Sequence, residues 1–186
     1  MGRHLKTAAI LAIGMFLGYR AASAVGKFPG GFFGARQPSE ATPLRAQTGT
    51  RLLSGFESRK DLALWQTKGT SLEPSTLHAT EGRQSGEVTF SAEGEAPSLI
   101  LAAALRSGQL PSNWSAYERL VLDAFNTDTR DVRLIVQLKD DHEKRSKTTV
   151  TVPAGEPTTV SVYIGAAKRA IDVRKVVALT DRKSVV

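Results

Sequence analysis

The segment VRLIVQLKD, residues 132–140, alternates strictly: Val132, Leu134, Val136 and Leu138 fall on one side, and Arg133, Ile135, Gln137 and Lys139 on the other. Successive side chains leave opposite faces of a strand, so period 2 assigns the aliphatic set to a core and the mixed set to a second face. TTVSVYIG repeats the pattern, with Thr158, Val160, Val162 and Ile164 on one side and Thr159, Ser161 and Tyr163 on the other. Further short runs flank these two: RLLSGFES, LALWQT, STLHATEG, SGEVTFSA, SLILAAAL, YERLVLDAFN, KTTVTVPAG and AIDVRKVVALT. Regularly spaced short strands with turn residues between them predict an all-β sandwich. KTTVTVPAG and TTVSVYIG read as a hairpin about residues 153–157, and SLILAAAL as a strand buried on both faces or a short helical turn.

The two ends of the chain read differently. Arg3, His4 and Lys6 precede the apolar run TAAILAIGMFLG and the small-x-small site Ala22-Ser23-Ala24. Residues 1–24 are therefore expected to be a helical signal peptide outside the fold, cut after Ala24. The rival reading is an uncleaved anchor, but a spanning helix needs about 20 apolar residues. Residues 25–50, rich in Gly, Pro, Ser and Thr, read as a flexible linker. The sandwich is assigned to residues 51–180. At the far end the strand Val176-Val177-Ala178-Leu179 runs into Asp181-Arg182-Lys183. The DNA string GAT-CGG-AAG-AGC-GTC-GTG-TAG, the start of a widely used sequencing adapter, reads Asp-Arg-Lys-Ser-Val-Val-stop. Residues 181–186 are accordingly expected to be an adapter-derived tail, with the natural chain continuing into further sequence.

The formal charge of +7 comes from 25 basic and 18 acidic residues. Setting aside Arg3, Lys6 and Arg20 of the leader, and Arg182, Lys183 and Asp181 of the tail, leaves 20 against 17, a net of +3. That balance gives no footing for nucleic-acid binding. The absence of cysteine excludes both disulfides and a lipoprotein anchor, so the core must hold by burial alone. An exported, cysteine-free domain points to a bacterial periplasmic, cell-surface or extracellular protein with no stable membrane span once the leader is cut.

The order of the markers carries a resemblance. GFES opens the domain, Trp65 follows, then ATEG, GEVTF, NWSAYERLVLDAFN, VRLIVQLKDD, PAGEPTTVSVYI and AIDVRKVVAL. From about Leu52 to Thr180 the chain resembles bacterial carbohydrate-binding-module-like domains of the galactose-binding-like jelly-roll type. The resemblance implies a jelly-roll β-sandwich whose partner is a polysaccharide or cell-surface glycan. It also implies that Glu57 joins a structural calcium site with loop carbonyls and a late aspartate. Such domains close with a strand beside the first one; here DRKSVV stands in its place, which predicts a missing final strand and an open sheet edge.

No catalytic constellation stands out. His78 and His142 are the only histidines beyond the leader, and Gly-x-Ser-x-Gly, His-Glu-x-x-His and phosphate-loop motifs are absent. Glu57 and Asp123 could be paired on paper as glycosidase carboxylates, but sequence fixes no separation between them. The acids of KDDHEKR lack EF-hand spacing and read as a solvated hairpin tip. Sugar recognition needs an aromatic face and planar polar groups. Trp65 and Trp114 are expected in the core, with their indole N–H groups partnered. Tyr163, Arg133 and Gln137 point outward and line one groove if their strands share a sheet. The chain thus reads as a secreted, non-catalytic carbohydrate-binding module at the front of a larger glycan-active or cell-surface protein. The alternative is a structural or protein-interaction sandwich that binds no sugar.

Overall fold

The computed structural model describes residues 7–11, 15–18, 51–80, 82–91 and 97–184. They form twelve strands and three short helices. In order these are β1 (Thr7–Leu11), β2 (Met15–Gly18), β3 (Arg51–Ser54), α1 (Arg59–Ala63), β4 (Gln66–Lys68) and β5 (Thr70–Ser75). Next come β6 (Ser85–Phe90), β7 (Ser98–Leu101), α2 (Ala103–Arg106), β8 (Arg119–Phe125) and β9 (Val132–Asp140). The chain continues through β10 (Arg145–Val152), β11 (Pro157–Tyr163), α3 (Ile164–Ala167) and β12 (Val176–Ser184). The sheets run β10-β9-β12-β7-β4, β11-β8-β2-β3 and β1-β6-β5. All strand pairs are antiparallel. The fold is the all-β sandwich that the alternation predicts.

The core follows the period-2 assignment. Leu134 and Leu138 of β9 and Leu120, Val160 and Ile164 of the opposing layer are fully buried in one hydrophobic cluster. Each buried aliphatic side chain contributes about 2 kcal/mol relative to exposure. Trp65 and Trp114 lie in that cluster as expected. The Trp65 indole N–H donates to Ser54 Oγ at 3.1 Å, and that of Trp114 to the Pro111 carbonyl at 2.7 Å. Trp65 also stacks on Phe56, with ring centroids 5.9 Å apart.

Several expectations are corrected. The leader's apolar run forms strands where a helix was expected: Thr7–Leu11 pairs with β6, and Met15–Gly18 lies between β3 and β8. An apolar segment satisfies its backbone equally well in a helix or in a sheet slot, and β2 takes the place beside β3 where a closing strand was expected. Residues 1–6, 12–14 and 19–24, and the linker 25–50, lie outside the described residues. LALWQT is not a strand throughout; Ser58 caps α1, its Oγ accepting from Asp61 N at 3.2 Å, and the strand begins only at Gln66. SLILAAAL divides into β7 and α2.

The expected hairpin at residues 153–157 is a crossover, because β10 belongs to the five-stranded sheet and β11 to the four-stranded one. Asn126 ties the crossing. Its Nδ2 donates to the carbonyls of Arg130 and Val152, and its own carbonyl accepts from Gly155 N.

The tail expected to stand outside the fold instead continues β12 through residues 181–184, between β9 and β7. Asp181 pairs with Val136 and Leu99, which puts its side chain on the aliphatic face. It is 3% exposed, and neither carboxylate oxygen has a hydrogen-bond partner. Backbone pairing is indifferent to side chain, so the sheet extends while the core receives a carboxylate. Burial pushes the Asp181 pKa up to about 7, opposed more weakly by the neighbouring Arg182 backbone N–H.

Candidate functional site

The outward set of the four-stranded sheet forms a continuous ladder. β8 contributes Arg119, Val121, Asp123 and Phe125, and β11 contributes Tyr163, Ser161, Thr159 and Pro157 directly opposite them. Cross-strand neighbours of this kind lie close enough to interact. The Arg119 guanidinium sits over the Tyr163 ring, 4.5 Å from its centroid. Thr159 Oγ1 donates to Asp123 Oδ1 at 2.7 Å.

At the Phe125 end the ladder opens into a recess of about 450 Å³, lined by His78, Thr80, Asp123, Phe125, Pro157 and Thr159 among others. His78 reaches it from the loop after β5, with a left-handed backbone (φ 55°). Its imidazole lies flat on Phe125, with centroids 3.6 Å apart and planes 10° from parallel. The recess therefore joins a stacked pair of rings to a carboxylate and a hydroxyl. The exposed His78 imidazole leaves its outer face for the C–H face of a pyranose, and Asp123 and Thr159 can meet its hydroxyl rim. Asp123 is hydrogen-bonded by Thr159, and His78 stacks on Phe125.

The predicted trio is not brought together. Arg133 and Gln137 lie on β9 in the five-stranded sheet, and Tyr163 on β11 in the four-stranded one. Arg133 is exposed, whereas Gln137 is buried at 4% exposure. Tyr163 is 51% exposed and belongs to the ladder. Glu57 is engaged locally. Its Oε1 accepts from Gln84 N at 3.0 Å and Arg83 N at 2.7 Å, and these bonds hold its pKa below the ordinary carboxylate value. Gly82, with φ +73°, leaves room for that carboxylate; a Cβ there would lie 2.0 Å from Oε1. Calcium takes six to eight oxygens. Among the described residues no three acids or histidines group together as a metal set.

Asp140 is not part of a solvated tip. It is fully buried. Burial opposes its charge, but N–H groups of Asp172, Lys144 and His142 outweigh that and hold its pKa low. Of the ladder, Asp123 and Phe125 were legible in the alternation of RLVLDAF. His78 was not, because its position depends on the loop's backbone.

No family model and no curated protein matches the chain. Among solved structures, an exo-β-agarase matches with a TM-score of 0.55 at 10% identity, over 70% of this chain and 22% of that one. The agarase AgWH50C matches with a TM-score of 0.49 at 10% identity, over 64% of this chain and 21% of that one. The chain spans about a fifth of the length of these structures, and the likeness to the exo-β-agarase is one of fold. No helix among the described residues is long and apolar enough to cross a membrane.

Proposed function

We propose that the chain is a non-catalytic carbohydrate-binding module of a larger, exported glycan-active or cell-surface protein, and that it takes polysaccharide on the ladder of β8 and β11. One observation carries the reading: the stacked His78–Phe125 pair beside Asp123 and Thr159 in an open recess. The fold likeness to about a fifth of an exo-β-agarase adds support, since it leaves the rest of such a chain for catalysis. Tethering of this kind raises the local concentration of substrate at a linked enzyme. Agarose is the first ligand to test.

The binding experiment is affinity electrophoresis of the 186-residue chain through gels containing agarose or other plant, algal or bacterial glycans. Retardation is expected in at least one glycan, with about a tenfold weaker interaction for Phe125→Ala, roughly the loss of one stacking contact. A folded protein that migrates freely in every glycan would end this reading. The exposed side chains of Leu52 and Leu77 would then favour the protein-interaction alternative.

A further inference from the structure

Beyond Tyr163 the chain passes through α3 into the segment 168–175, and this segment encloses a second recess, of about 440 Å³. Its lining includes Lys144, Lys168, Arg169 and Arg174, with Asp172 and Ser115. The acid is already committed. Arg174 Nε donates to Asp172 Oδ1 at 2.9 Å and Nη2 to Oδ2 at 3.0 Å. Lys144, Lys168 and Arg169 line the recess beside that engaged pair, and Asp172 is the only carboxylate in the lining.

The frame is fixed before any ligand arrives. Asp172 N donates to Asp140 Oδ2 at 2.9 Å, Trp114 N to the Val173 carbonyl at 2.8 Å, and Val176 N to the Ser112 carbonyl at 2.9 Å. Lys168 Nζ donates to the Ser115 carbonyl at 3.2 Å, which uses one of its three N–H groups. Pre-set donors lower the entropy cost of binding.

We propose that this recess binds an oxyanion substituent of a polysaccharide, a sulfate ester in particular. The Arg174 fork is taken by Asp172, which leaves the Arg169 guanidinium and the ammonium groups of Lys144 and Lys168. The remaining donors come from separate side chains and suit the diverging oxygens of a tetrahedral group. The stacking recess lies at the Pro157 end of β11 and the cationic recess lies past its Tyr163 end. At about 3.3 Å per residue the two ends of β11 lie about 20 Å apart, so only a polymer longer than that can reach both recesses. The polymer's identity rests on the proposed function above; the oxyanion chemistry rests on this recess alone.

The test compares the 186-residue chain on a sulfated galactan, on the same polymer after chemical desulfation, on a polyuronate and on neutral agarose. Binding to the sulfated polymer is expected to exceed that to its desulfated form by about tenfold at low salt, and to fall steeply as salt rises. Lys168→Gln with Arg169→Gln, both exposed, should remove that preference while agarose retention and the circular dichroism spectrum stay unchanged. Phe125→Ala should do the reverse. Equal binding to sulfated and desulfated polymer would overturn the proposal. So would a preference that survives the double substitution, stronger binding to the polyuronate, or complete displacement by an equal concentration of inorganic sulfate. Retention by sulfated galactan without retention by agarose would leave this recess standing and defeat only the neutral-sugar reading.

Discussion

Asp140 and Asp181 are both buried aspartates in the same five-stranded sheet, and they meet opposite fates. Asp140 ends β9 where three backbone N–H groups converge on its two oxygens. Asp181 enters β12 between Val136 and Leu99 and meets none. One carboxylate is held charged and joins the β9–β10 turn to the loop before β12. The other is pushed towards its neutral form. Burial alone is thus neither favourable nor unfavourable; the partners decide.

The contrast can be broken most forcefully at residue 181. Asp181→Leu places an aliphatic side chain at a position whose register partners, Leu99 and Val136, are aliphatic. A pKa raised from 3.8 to about 7 corresponds to about 4 kcal/mol of penalty at pH 8. Chemical denaturation at pH 8 should show a stabilisation of that order. An unchanged midpoint would mean that the carboxylate escapes the core. The opposite change at the other site, Asp140→Ala, leaves three N–H groups without their acceptor. It should lower Tm by on the order of 10 °C, read by calorimetry.

The pH profile sharpens the same comparison. The Asp181 acid has a raised folded pKa, so its penalty is absent below about pH 4, grows as pH rises and is complete above about 7. Asp140 and Asp172 have lowered folded values, that of Asp172 falling to about 2 because Arg174 hydrogen-bonds it. Their contribution is present above their ordinary value of 3.8 and is lost as pH falls through the folded value. Stability is expected to peak near pH 4–5, and Asp181→Leu should turn that peak into a plateau reaching neutrality. A profile identical in both proteins would refute the assignment. The smallest effect belongs to Gly82→Ala, which strains a φ of +73° and displaces the Glu57 carboxylate. A loss of about 1 kcal/mol is expected by urea titration.

What was legible in the sequence follows from what alternation encodes. Val132, Leu134, Val136 and Leu138 face the core as read, because the face of a strand residue is a local property. Whether the opposite face is covered is not local, and Gln137 is buried although it points outward from the core set. The turn around residues 153–157 looked like a hairpin because Pro and Gly serve a hairpin and a crossover equally well. The sheet order decides it, since β10 and β11 lie in different sheets, and the Asn126 side chain bonded to Val152 ties the crossing. Asp140 was read as surface from its charged neighbours, while the donor that completes its site comes from Asp172. The ladder was half legible: Asp123 and Phe125 follow from period 2, whereas grouping Tyr163 with Arg133 required a sheet order that no short segment contains.

The four-stranded sheet gathers strands from residues 15–18, 51–54, 119–125 and 157–163. The β9–β10 pair, in contrast, is joined by a turn of four residues, 141–144. Closing long loops costs entropy before any contact repays it, so folding is expected to begin at the β9–β10 hairpin and to finish with the slot that holds β2. Pulse-labelled amide exchange would record that order as early protection of residues 132–152 and late protection of residues 15–18 and 51–54. The ladder assigned to the ligand belongs to the same four-stranded sheet, so ligand binding would act on the later steps of folding.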